Sequence, residues 1–436
     1  MTDHQRDPIE AWLSRDVELL PPPPGAFERV HRRARHRRTM KAVTAAAGAV
    51  VVIVAGVTVP KIVSGLSTTP QPPTAKVYLP SKPAPAAPAR LALSGPPFLT
   101  AGAGPEPAAG FRPTSVTFVG NTLGAVLGLA GSCATGPCTA MAGTHDYGTT
   151  WTEIAAPPAG PPDGTAGVSQ VRFHDGKNGW AYGPALYATH DGGKTWHAIS
   201  TKGRRVVDLS TVGSRAFAVL ATGCTGTGAQ FGTGCTGFRL FSTPKSADRW
   251  QSVAGAAGAG LALPGGLQLT GHGGYLIAGG HLFAGPVTSG SWNRVRGPAE
   301  TPRCLAGPGS RPALIAPGTD HLFLVCQDQG TGVITLYGSI RGGSSWQRRS
   351  TVHAMGIAQS LAVSPGGALM LATTTGIYRS ANARTWKPAS VAAPSGGFSF
   401  VGMTTDTNGV AIASTPGHAV YITTDGGLTW RAVPIQ

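Results

Sequence analysis

Charge is scarce in this chain, and negative charge scarcest: 12% of its 436 residues are charged, with 19 Asp+Glu against 35 Lys+Arg. That density excludes a coiled coil or a bundle of long surface helices, whose outer faces are built from Glu and Lys. Beyond residue 110 the glutamates are Glu153 and Glu300 alone, which leaves little for chemistry that needs paired carboxylates. No HExxH, GxSxG or P-loop sequence occurs, so zinc hydrolysis, a serine nucleophile and nucleotide binding lack their usual signs. Cysteines number six, without a CxxC pair or a nearby His doublet, and no metal or cofactor is expected.

What is abundant is glycine and proline, 63 and 37 residues, the composition of many short strands joined by turns. The basic excess is spread along the chain. Residues 1–41 hold 9 Lys/Arg and 6 Asp/Glu, which leaves +13 of the +16 net charge for the rest. The globular part is therefore expected to attract polyanions. Nucleic acid is not expected, because no basic helix interleaved with aromatics follows residue 41.

Residues 42–59, AVTAAAGAVVVIVAGVTV, carry no charge. This is close to the shortest helix that crosses a bilayer core of about 30 Å, and Lys61 can snorkel to extend the span to residue 63. Arg29, Arg32, Arg33, Arg35, Arg37, Arg38 and Lys41 crowd its N-terminal side. The positive-inside rule then predicts a single-pass cell-membrane protein with residues 1–41 cytoplasmic and the C-terminal bulk outside. A cleaved signal peptide is the rival arrangement; its basic region would be 41 residues long, and no clear A-x-A site follows Val59. The cytoplasmic stretch IEAWLSRDVELL, followed by Pro21–Pro24, is a short amphipathic piece that lies on lipid or docks a cytoplasmic partner. Residues 64–110 are rich in Pro and Ala and read as a stalk.

Residues 111–436 are dominated by a repeat. THDYGTTW, THDGGKTW and TTDGGLTW end at Trp151, Trp196 and Trp430, with Asp146, Gly148, Asp191, Gly193, Asp425 and Gly427 at fixed positions. Worn copies end at Trp250, Trp292, Trp346 and Trp386. An aromatic precedes most of these tryptophans by nine residues (Tyr187, Phe241, Phe283, Tyr337, Tyr421), and Tyr378 precedes the shorter copy by eight. An apolar run precedes each aromatic, so each period of 40 to 54 residues reads as one four-stranded unit. The motif resembles the Asp-box, or BNR, repeat of sialidases, sortilin-type receptors and photosystem II assembly factors. That resemblance implies an all-β, seven-bladed β-propeller. Within each box, Asp is expected to accept backbone N–H bonds, Gly to supply a positive φ, and Trp to cover the hairpin.

The cysteines fall as Cys133 with Cys138, Cys224 with Cys235, and Cys304 with Cys326. Beyond a membrane span they are expected to form disulfides, although six cysteines permit 15 connectivities. The first two pairs fall in second-to-third strand connections; Cys304 is expected to open the first strand of blade 5 and Cys326 to end its second. All three pairs then lie on the face opposite the boxes, and Lys202, Arg204, Arg205 and Arg303 fall in loops of that face. It is the candidate binding surface. His145 and His190 share one box position and read as exposed turn residues.

The expected function is a non-catalytic, membrane-tethered module that binds a protein or an anionic glycan outside the cell. The resemblance also raises a sialidase-like glycosidase, with Phe111, Arg112 and Pro113 one residue short of an F-R-I-P segment. That enzyme would need three arginines around the central pocket and an acid beside a tyrosine. Glu153 follows Trp151 on an outer strand, the wrong place for such an acid.

Overall fold

A computed structural model describes residues 107, 110–130, 138–226, 234–261, 266–288, 290–296, 302–305, 314–319, 321–328, 330–353, 355–414 and 419–435. The segment expected to be cytoplasmic, the span expected at 42–63, nearly all of the expected stalk, Cys133 and Glu300 lie outside them. Among the described residues no helix is long and apolar enough to cross a membrane.

The described strands form seven four-stranded antiparallel sheets, each in plain chain order. They span residues 112–154, 170–198, 205–261, 267–294, 314–352, 358–388 and 398–433, numbered here as blades 1 to 7. The aromatic register identifies the third strand in six of them: Tyr187, Phe241, Phe283, Tyr337, Tyr378 and Tyr421 all lie there. Each tryptophan stands one residue before its outer strand. The second strands are the most buried, and Gly179–Tyr182, Leu369–Thr373 and Gly409–Ala413 are buried throughout, because each is covered on both faces by neighbouring blades.

The core consists of seven clusters, one at every junction between successive blades. Each box tryptophan joins the cluster it shares with the preceding blade: Trp196 packs with blade 1, Trp386 with blade 5 and Trp430 with blade 6. The indole also covers its own hairpin, as expected: a Cβ added at Gly148, Gly193, Gly343 or Gly427 would stand 3.3 to 3.8 Å from the ring of Trp151, Trp196, Trp346 or Trp430. Indole N–H groups reach across to the preceding blade, Trp196 Nε1 to the Ala155 carbonyl at 2.9 Å and Trp386 Nε1 to Ser350 Oγ at 3.1 Å. A tryptophan has the area to bind two sheets and a polar edge to fix its angle.

Ring closure follows the same rule. Trp151 and Tyr147 of blade 1 pack with Val410, Ile412, Val420 and Val433 of blade 7, and Tyr147 Oη donates to the Gly409 carbonyl at 2.9 Å. Among the described residues, blade 7 holds only its own strands and packs against blade 1 face to face. A contribution from residues 91–100 lies outside the described residues.

The three complete turns share one hydrogen-bond network. Asp146 Oδ1 accepts from the N–H groups of Thr149 and Thr150 at 2.9 Å, and its Oδ2 accepts from Thr150 Oγ1 at 2.7 Å. Thr144 Oγ1 donates to Asp146 and accepts from Gly148 N–H. Asp191 and Asp425 repeat the pattern, and Asn382 stands in for the aspartate in blade 6. Burial raises these aspartates, but the threonine hydrogen bonds outweigh it and hold all three below their usual value. A depressed carboxylate supports the fold above its unfolded value, 3.8, and that support fades as pH falls through the lower folded value. Asp425→Ala is expected to cost about 1–2 kcal/mol at neutral pH and to flatten the loss of stability in acid, read by thermal unfolding from pH 7 down to pH 2.

Candidate functional site

Antiparallel order assigns every connection to one of two ends. The first-to-second and third-to-outer turns share one end, here called the box end. The second-to-third connections and the links between blades share the other. Cys138 is disulfide-bonded in the second-to-third connection of blade 1. Cys224, in the same connection of blade 3, is bridged to Cys235, the first residue of the third strand. Cys304 is bridged to Cys326, near the end of the second strand of blade 5. Cys304 itself sits in a 3-10 turn, Arg303–Leu305, ahead of the first strand Leu314–Pro317, which corrects its expected position within that strand. Pro302 explains the turn: it cannot donate to a ladder, and its carbonyl accepts from Leu305 N–H at 2.8 Å. The stapled end therefore carries every described cysteine.

The basic candidates lie at that end too, in unequal states. Lys202 is exposed with φ 53°, in the link between blades 2 and 3. Arg204 is half-buried, with its guanidinium 5.7 Å from the Phe241 ring centre, and Arg205 donates to the Gly226 carbonyl. These two also hold the link in shape, a role the sequence did not signal. Arg112 is exposed at the start of blade 1's inner strand, and Arg303 opens the 3-10 turn. Acids collect at the opposite end. Asp146, Asp175, Asp191, Asp248, Asp406 and Asp425 all sit in box-end turns, whereas Asp163 and Asp328 are the acids in stapled-end connections among the described residues.

In the inner part of the ring, hydrogen bonds stitch successive blades. Val171 N–H donates to Ser115 Oγ at 3.0 Å and Leu267 N–H to Asp208 Oδ2 at 2.6 Å. Asp208 is raised above its usual carboxyl value by burial, against the pull of the Leu267 hydrogen bond and the Arg172 charge. Tyr182, on the neighbouring blade, is pushed up to about 12 by burial, and its hydroxyl donates to the Leu209 carbonyl at 3.4 Å. A phenol held in its neutral form is a poor nucleophile, so this acid and tyrosine read as packing. Glu153 is exposed on the outer strand of blade 1, where the sequence expected it. A groove of about 490 Å³ opens beside Ser390, Val391, Thr429 and Arg431. Its lining holds no acid, imidazole or thiol.

His145 and His190 are half-buried rather than exposed. Burial lowers the His145 imidazole below its usual value despite the nearby Asp146 charge. His190 bonds Asn178 and, across the junction, Asp248, a partner in another blade that no spacing rule reveals.

No family model and no curated protein matches this chain. Solved structures resemble it weakly. YCF48 bound to D1 peptide aligns at a TM-score of 0.42 and 16% identity, over 64% of this chain and 86% of that one. An ancestral GH74 enzyme aligns at 0.47 and 13%, over 74% of this chain and 44% of that one. A streptogramin B lyase aligns at 0.45 and 10%, over 73% and 92%. At such identities these similarities concern the β-propeller fold alone.

Proposed function

We propose that this protein is a non-catalytic binding propeller of the Asp-box type, carried on a single membrane helix at residues 42–63, whose stapled end meets an anionic ligand outside the cell. The observation that carries the reading is the uneven placement of acid: turn cations occur at both ends, Lys177, Lys194 and Arg249 among those at the box end, but there they are matched by aspartates. Lys202, Arg112, Arg303, Arg204 and Arg205 share the end that the disulfides pin, and most turn aspartates lie at the other. Pinned loops lose little entropy on binding, and a surface poor in acid adds its cations without internal cancellation. The repeated aspartate network supports the Asp-box assignment. The run of arginines before residue 42 supports the orientation. An anionic glycan fits the net charge better than a neutral protein surface, and the inner tyrosine and acid give a glycosidase no activated nucleophile.

The test uses the full chain in detergent, captured on immobilised acidic polysaccharide with a neutral polysaccharide as control. Capture is expected on the acidic matrix only and should weaken about tenfold or more between low and physiological salt. The double variant Arg112→Glu with Lys202→Glu should weaken it by a similar factor. Equal capture on both matrices, or indifference to salt, would overturn the anionic-ligand reading.

A further inference from the structure

We propose that His190, His197 and Asp248 form a zinc site that clasps blade 3 to blade 2 at the box end. His190 lies in the box turn of blade 2, His197 on its outer strand, and Asp248 in the worn turn of blade 3. Their ligand atoms all lie within 4.8 Å of one another. Asp248 Oδ2 is 3.0 Å from His190 Nε2 and 2.5 Å from His197 Nε2. Two imidazoles and one carboxylate are a borderline donor set suited to zinc, which takes ligands at about 2.0–2.2 Å and tolerates an open fourth position. His197, half-exposed, leaves that position toward solvent.

The surrounding hydrogen bonds decide which nitrogen faces the metal. Asp175 can only accept, and it takes both contacts from Asn178 Nδ2, at 3.0 and 3.1 Å. Asn178 therefore turns its oxygen toward His190 Nδ1, 2.8 Å away, and that nitrogen must carry the proton. With Nδ1 engaged by Asn178, Nε2 is the nitrogen left to face the Asp248 carboxylate. The gap between Nε2 and the carboxylate is one that a proton or a metal ion can fill, and the second imidazole, His197, meets the same oxygen. An outer hydrogen bond that fixes the tautomer is the arrangement found behind metal-bound histidines. Asp248 Oδ1 is buried with no hydrogen-bond partner among the described residues, so the carboxylate has a second oxygen to offer.

The clasp replaces what blade 3 has lost. In its turn, TPKSADRW, Lys245 occupies the position of the box aspartate and Ala247 that of the box glycine. Lys245 Nζ instead bonds Asp175 of blade 2 at 2.9 Å, so this turn is tied outward to its neighbour and not inward to itself.

The experiment titrates Zn²⁺, and Co²⁺ as its coloured substitute, into the full chain after treatment with chelator. One ion per chain is expected to bind with micromolar or tighter affinity, to give cobalt absorption of low-coordinate type, and to raise the thermal midpoint. Single variants His197→Ala and Asp248→Asn should each weaken that affinity at least tenfold. The triple variant His190→Ala, His197→Ala, Asp248→Asn subtracts zinc taken up elsewhere. Affinity in that variant equal to the parent's, or no binding by the parent, would overturn the proposal. Should the triple variant fail to fold, His197→Ala decides alone, because its exposed ring is not needed for packing.

Discussion

Trp292→Ala is expected to lower the stability of the ring by about 3–5 kcal/mol, the usual cost of truncating a fully buried tryptophan. Trp292 has no exposed surface. Its ring fills the junction of blades 3 and 4, 5.7 Å from Phe217 between centroids, and its Nε1 donates to the Pro286 carbonyl at 3.2 Å. Gly274 and Gly285 exist to admit it, since a Cβ on either would overlap the indole. Backbone bonds lock the position further, with Trp292 N–H donating to the Ala254 carbonyl at 2.8 Å. Trp386→Ala, at a half-exposed site, should cost clearly less. Urea unfolding followed by far-UV circular dichroism reads both; equal midpoints for the two variants would count against this assignment of roles.

The second large effect lies at the closing junction. Tyr147→Ala is expected to cost about 3–4 kcal/mol through the cavity left against blade 7, while Tyr147→Phe should cost about 1 kcal/mol for the lost hydrogen bond. Tyr147 holds φ 56°, a conformation that side chains other than Gly, Asn and Asp rarely adopt. The buried ring offsets that strain: it lies 4.9 Å from Phe118 between centroids and bonds the Gly409 carbonyl. Burial pushes its hydroxyl up to about 12 from the usual 10.0, against a hydrogen bond from Thr404. A raised value means the support is complete below pH 10 and is lost as pH rises toward 12. The parent chain should therefore lose stability over that window, and Tyr147→Phe should lose less. Identical alkaline profiles would assign the transition to other groups.

Most of the architecture could be read from the chain because a propeller repeats one local pattern. Trp151, Trp196 and Trp430 set the period, and the aromatics from Tyr187 to Tyr421 identified the third strands. Even the worn copies obeyed the spacing, since ladder bonds hold a blade whose turn has decayed. What escaped the reading were properties created between blades. Trp292 looked like the other turn tryptophans, yet GPVTSGSW lacks both the aspartate and the box glycine, and among those turn tryptophans its indole is the one wholly enclosed. Asp248 carried no signal in the sequence, because its partners lie 51 and 58 residues away. Arg204 and Arg205 looked like free loop cations because neither Phe241 nor Gly226 is near enough in sequence to suggest the contacts.

Among the described residues, blades 7 and 1 share no strand. The seam between blade 7 and blade 1 can part while every sheet keeps its full complement of interstrand bonds; only side-chain packing and the tyrosine anchor must yield. Parting that seam breaks no interstrand bond of the described sheets, so it is expected to cost less than melting one blade. A pull applied through the segment that enters at Arg112 reaches the innermost strand first, so load arriving there bears on the joint before it bears on the sheets.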